Sequence, residues 1–362
     1  MPFYRLLRVL ICLALIPGLS ACADARYYLQ SVGGHWQMLQ AARPIDQWLD
    51  NAQTDPALKQ RLALARHMRD FAVTELHLPD NASYHRYADV QRKAVVWNVV
   101  AAPEFSLTLK TWCFPVAGCV GYRGYFKEAD ALEEAQALTA QGLEVSVYGV
   151  PAYSTLGWLN WAGGDPLLNT FIHYPEGELA RMIFHELAHQ VVYVPDDTMF
   201  NESFATAVER LGSERWLSLN GSQEAQKEYR ALEGRRQQFR ALLRSTRARL
   251  SEIYAQNQPP DAAQATPSAM KVKAMQDFRA SYAQLKVGWG GFSGYDAWVA
   301  RANNAAFGAQ AAYDEWVPAF EALFAQQGQN WPRFYAAVTR LSQLPVAERQ
   351  RALNHLINLS QD

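Results

Sequence analysis

FHELAHQVVY, residues 184–193, sets two histidines four positions apart with a glutamate directly after the first. On a helix, positions i and i+4 share one face about 6 Å apart. His185 and His189 can therefore offer imidazole nitrogens to one tetrahedral zinc ion, Zn2+. Glu186, one position on, points to the side, where it reaches an attacking water rather than the metal and serves as general base. The neighbours Leu179, Met182, Ile183, Phe184, Leu187, Val191 and Val192 are apolar. They predict that the polar trio sits on a buried helix, where unpaired imidazoles and a carboxylate are costly unless something satisfies them.

A zinc site on two histidines needs a third ligand. NESFATAVERLG begins at Asn201 and reads as a second helix closed by Gly212. Glu202 in its first turn can face back toward the histidines if VPDDTM makes a tight turn. Glu209 lies close to two helical turns further on and returns to nearly the same face. The expected arrangement has Glu202 on the metal and Glu209 hydrogen-bonded to a ligand imidazole. The two roles can be exchanged, and Asp196 or Asp197 are alternative third ligands.

Outward from this stretch the chain changes character. Upstream, apolar residues from about Arg43 to Phe71 recur at helical spacing. AVVWNVV (94–100), FSLTLKTW (105–112) and LEVSVYGV (143–150) are β-branched and aromatic and read as strands, with a helix in FKEADALEEAQALTAQG ending at Gly142. Downstream the pattern is almost wholly helical. Two amphipathic stretches flank the Pro-rich QNQPPDAAQATPS and predict a helical hairpin over 222–287. Its first arm carries eight Lys/Arg against four Glu from Ser222 to Glu252, a pattern that usually marks a solvated helix face. The fold class is α+β: a small mixed sheet on a zinc-binding helix pair, then a mainly helical part. The divisions are a signal at 1–21, an α+β core with the zinc site at 22–220 and a helical region at 221–362.

The N-terminus reads as a targeting signal. MPFYRLLRVLICLALIPGLSAC has basic Arg5 and Arg8, a short apolar run, and Leu19-Ser20-Ala21-Cys22 in the form of a lipobox. Cys22 then becomes the lipidated first residue and holds the chain on the bacterial envelope, at the outer membrane facing the periplasm. Cys12 leaves with the signal, so Cys113 and Cys119 remain, with five residues between them. In an oxidising compartment this pair reads as a disulfide. A net charge of −1, from 34 Lys+Arg against 35 Asp+Glu, gives no sign of a nucleic-acid partner.

HELAHQ followed by FNESFA resembles the glutamate-zinc peptidases, such as thermolysin and the zinc aminopeptidases. The wider chain resembles a bacterial family of aminopeptidases that are predicted lipoproteins. The matching pieces include LSACADARYYLQ, CFPVAGCVGYRGYF, VPAYSTLGW and RANNAAFGAQAAYDEWVPAFEAL. The resemblance implies His185, His189 and Glu202 as zinc ligands, Glu186 as base, and a peptide or protein substrate. Relative to the better-studied zinc aminopeptidases, the gap from second histidine to glutamate is shorter and the upstream exopeptidase motif is missing. An envelope endopeptidase and a non-catalytic zinc lipoprotein are the alternatives. A donor to the developing oxyanion is also expected. Tyr313 is the candidate carried forward, beside Asn303, Asn304, Tyr122, Arg123 and Tyr125. Tyr153, Ser154 and Thr155 lie where an extended peptide can run along a sheet edge.

Overall fold

The computed structural model describes residues 26–114, 118–158, 160–255, 266–310 and 315–359. The signal segment with Cys22, the connection 256–265 and Tyr313 lie outside them. The chain enters with helix α1 (26–41). Next come β1 (Arg43–Pro44), α2 (Ile45–Asp50), α3 (Pro56–Thr74) and β2 (Arg86–Ala88). The middle holds β3 (Val96–Pro103), β4 (Trp112–Phe114), β5 (Gly118–Val120), β6 (Arg123–Tyr125), α4 (Glu128–Thr139), β7 (Leu143–Val150) and β8 (Leu167–Leu168). The helices α5 (Glu176–Ala188) and α6 (Thr198–Asn220) follow, then α7 (Gln223–Ala255) and α8 (Pro267–Gly288). The chain closes with α9 (Asp296–Arg301), α10 (Asn304–Gln310), α11 (Val317–Gln326), α12 (Trp331–Ser342) and α13 (Val346–Leu359). The architecture is α+β, with small sheets and a helical C-terminal part.

The main sheet is antiparallel in the order β6-β3-β7. The period-2 alternation of β3 covers both of its faces. Val99 and Ala101 pack with Ala131 and Leu138 of α4, while Val100 and Ala102 pack with Ala305 of α10. FSLTLKTW departs from its strand-like pattern, because only Trp112 is in a strand and the stretch before it is irregular. Lys110 N–H still reaches the Ala101 carbonyl at 2.8 Å. Its apolar side chains are drawn elsewhere: Leu107 packs on the α7–α8 core and Leu109 on the α10 side of the sheet.

Beneath the sheet, α5 and α6 run through the largest core. This core also takes in Met68 of α3, Phe320 of α11, Phe334 of α12 and Leu353 of α13. The last three helices thus return to the α5–α6 layer, and α7 to α9 build a second core around Phe239, Phe278 and Val299. The arms α7 and α8 pair antiparallel, as the Phe239–Tyr282 and Arg249–Asp277 contacts require. Gly212 does not end its helix as its sequence position suggests, since α6 runs on to Asn220. It lies where α6 meets α5 and the segment just after α3: a Cβ there would stand 2.8 Å from Leu76 and 3.0 Å from Phe184. The glycine permits close packing.

Phe204 is fully buried on α6, with its ring 5.7 Å from Phe320, 5.9 Å from Phe334 and 6.3 Å from Tyr335. Removing an enclosed aromatic ring leaves a cavity that rigid neighbours fill poorly. Phe204→Ala should therefore lower unfolding free energy by about 3–5 kcal/mol in urea titration. A loss below about 1 kcal/mol would contradict the packing of α11 and α12 on α6.

Candidate metal centre

Helix α5 begins at Glu176 and ends at Ala188, one residue before the second histidine. His189 is the C-cap and keeps helical dihedrals (φ −59°, ψ −19°), so the i, i+4 relation to His185 survives where the regular helix stops. The chain then reverses and starts α6 at Thr198. Asn201 fixes this reversal from both sides: its Nδ2 donates to the Val194 carbonyl (2.7 Å), and its Oδ1 accepts the Val194 N–H (2.8 Å). Asp197 caps α6 by accepting the Phe200 N–H at 3.0 Å and receives Arg349 of α13 at 2.6 Å. Asp196, at φ 66°, accepts the Cys119 N–H at 2.6 Å. Both aspartates are thus engaged away from the histidines. The connection fixes where Glu202 comes to lie.

The three side chains meet. His185 Nε2 and His189 Nε2 are 3.2 Å apart, and Glu202 Oε2 lies 3.3 Å from the first and 3.8 Å from the second. All three offer ligand atoms within 4.8 Å of one another. Donors on a tetrahedral zinc at about 2.0–2.1 Å stand about 3.3–3.4 Å apart, which is close to this spacing. Two imidazole nitrogens facing each other beside a carboxylate also form a donor set that one cation satisfies at once. The residues fit a metal.

Glu209 approaches from the other side of the first imidazole. Its Oε2 is 2.9 Å from His185 Nδ1, and its Oε1 accepts from Arg181. A carboxylate at Nδ1 selects the tautomer with the proton there and turns the Nε2 lone pair toward the cluster. Arg181 also donates to Glu233 of α7 at 2.8 Å, and Glu233 accepts from Arg236 at 2.6 Å. Arg236 reaches back to Glu178 of α5, again at 2.6 Å. Burial works against the Glu209 charge, but Arg181 and His185 overcome it and hold the carboxyl down at about 2. Burial pushes His189 down to about 4, which keeps it neutral as a ligand must be. Its Nδ1 is buried without a hydrogen-bond partner among the described residues. Burial also raises the Glu186 carboxyl to about 7.

A cavity of about 520 Å³ opens on this cluster. Glu186, His185, His189 and Glu202 line it from the helices, Asn98 and Gly124 from the sheet, and Tyr27 and Ser31 from α1. Tyr153 and Ser154 are on its wall, whereas Thr155 donates its N–H to Asp165 at 3.0 Å. Tyr122 lines the cavity, as does Tyr193, which sequence reading passed over. Tyr125 instead packs in the α4 face of the sheet, and Arg123 stacks over Tyr27 at 4.1 Å. Asn303 and Asn304 tie α10 to β7 and the end of β3 through the Val145 carbonyl (2.8 Å) and the Pro103 carbonyl (3.1 Å). Cys113 and Cys119 are joined as a disulfide across β4 and β5, and Phe114 and Val120 of that hairpin complete part of the wall.

Arg181 was the residue most open to discovery in the sequence, because it lies one helical turn before His185 on the same face. Its link to Glu209 generates a test. Glu209→Ala frees the His185 ring and leaves Arg181 with Glu233 alone. Affinity for zinc, used as the probe in competition with a chelating dye, should fall about ten- to a hundredfold. Unchanged affinity would show that Glu209 does not position the imidazole.

None of the curated proteins and none of the solved structures matches the chain. A family model described as "Putative aminopeptidase" matches residues 26–353, from the first turn of α1 into α13. With nearly the whole of its 362 residues covered, the chain belongs to that family.

Proposed function

We propose that the protein is a zinc-dependent aminopeptidase of the bacterial cell envelope. The observation that carries this reading is the convergence of His185 Nε2, His189 Nε2 and Glu202 Oε2 at the wall of a cavity that Glu186 shares. The family description supports peptide bonds as the target. When bound, zinc supplies Lewis acidity, polarising the scissile carbonyl and lowering the pKa of the attacking water. Among the described residues three protein donors converge, rather than four, which favours a reactive centre over a purely structural one.

The rest of the chemistry belongs to the side chains. Glu186 points away from its neighbour His185 around the helix, so its carboxylate faces the substrate space instead of joining the ligand set. A carboxyl raised to about 7 by burial is basic enough to take a proton from water and pass it to the leaving amine. Glu209 holds the His185 ring through Nδ1 throughout. Tyr122 and Tyr193 line the same cavity, and we assign their hydroxyls as donors for charge that develops on the carbonyl oxygen. A space of about 520 Å³ takes a few residues of an extended peptide and not a folded protein. The lipobox Cys22, outside the described residues, supports anchorage in the envelope.

Two measurements on one set of variants test the reading. Glu186→Gln should keep about one zinc per chain by elemental analysis while hydrolysis falls by about 10² or more. His185→Ala, His189→Ala and Glu202→Ala should each lose the metal, since two remaining donors bind it weakly. Peptides with a free amino terminus should be cleaved and their N-acetylated forms should not. Wild-type turnover by Glu186→Gln would overturn the role of Glu186, and equal cleavage of acetylated peptides would replace the aminopeptidase with an endopeptidase.

A further inference from the structure

Helix α1 carries an apolar face that the described residues leave uncovered. Tyr28, Leu29, Val32 and Trp36 are 44, 74, 69 and 60% exposed. At 3.6 residues per turn they fall within about 100° of one another around the helix axis, one continuous stripe. The stripe cannot turn inward, because the opposite face is fastened to the body. Met38 is buried in the main core, and a Cβ at Gly34 would stand 2.1 Å from the Phe126 ring. Gln30 accepts the Phe126 N–H at 3.0 Å, and the His35 ring packs 5.5 Å from Tyr153. From Arg26 to Ala41 there is no other charged residue, and Arg26 itself pairs with Glu133 at 2.9 Å. A solvated helix face normally carries charges, and this one carries none.

The position of the helix says what covers it. Three residues separate Cys22 from Arg26. Fully extended, the four steps from Cys22 to Arg26 reach at most about 13–14 Å. A chain anchored at Cys22 therefore has the first turn of α1 at the lipid headgroups. Trp and Tyr beside aliphatic side chains suit that interface, where one end of the ring is apolar and the other wet. Further along the chain, Trp158 and Trp161 are 66 and 84% exposed and share the chemical character of the stripe. Lipid chains alone tether the protein without orienting it; a rigid apolar stripe next to the tether does both.

We infer that the Tyr28–Leu29–Val32–Trp36 face of α1 lies in the bilayer interface and orients the protein on the membrane. Because Tyr27 and Ser31 of the same helix line the cavity, the cluster then stands close to the lipid surface and receives peptides there.

The test tethers the chain from Cys22 onward to maleimide lipid in phosphatidylethanolamine–phosphatidylglycerol vesicles through the Cys22 thiol. Cys113 and Cys119 are bonded to each other and do not compete. Tethering is thereby independent of whether the cell lipidates Cys22. The readout is Trp36 emission, taken as wild type minus Trp36→Phe, on vesicles with and without brominated acyl chains. Bromine should lower it at least twofold. Unchanged emission would overturn the inference. So would an untethered dimer that Leu29→Ser dissociates to monomers, since the stripe would then join two copies of the chain.

Discussion

Two imidazole nitrogens 3.2 Å apart, buried beside a carboxylate, are the constraint on which the surrounding structure depends. A protein interior does not hold such a set cheaply without a cation. The consequences run outward through a ladder of alternating charges. His185 meets Glu209, Glu209 meets Arg181, Arg181 meets Glu233, and Glu233 meets Arg236, which returns to Glu178. Glu233 also lies 3.6 Å from Arg210, itself 3.1 Å from Glu321 of α11. Ion pairs this deep contribute little net stability, because desolvation offsets much of their attraction. Their effect is positional: α5, α6, α7 and α11 are held in one register around the cluster.

The second fixed point is the short reversal between α5 and α6. Three neighbours grip it: Asn201 from within, the Cys113–Cys119 hairpin through Asp196, and Arg349 of α13 through Asp197. Remote parts of the chain therefore set the distance between Glu202 and the histidines. This explains why α11 to α13 pack on the α5–α6 layer although they come last in sequence.

What sequence reading captured was local. His185 and His189 share a turn, and Glu202 and Glu209 are close to two turns apart on one helix, so helical periodicity alone relates the members of each pair. β7 coincides with LEVSVYGV for the same reason: its alternation and flanking Gly and Pro are contained within it. What it missed was set by partners far along the chain. Glu233 meets Arg181 across 52 positions, and no local pattern announces it. FSLTLKTW has the composition of a strand, but its leucines belong to two other cores. Gly212 resembles a helix stop, and only the approach of Phe184 and Leu76 shows why it sits mid-helix. The part played by α1 in the cavity wall is likewise invisible until the helix is packed against Phe126 and Tyr153.

X-ray absorption at the zinc edge of the zinc-loaded protein tests the central claim most directly, because it reads the donors themselves. Two imidazole nitrogens and carboxylate oxygen at about 2.0–2.1 Å, with no sulfur, is the shell that His185, His189 and Glu202 provide. A shell containing sulfur, three or more imidazoles, or oxygen alone would contradict it.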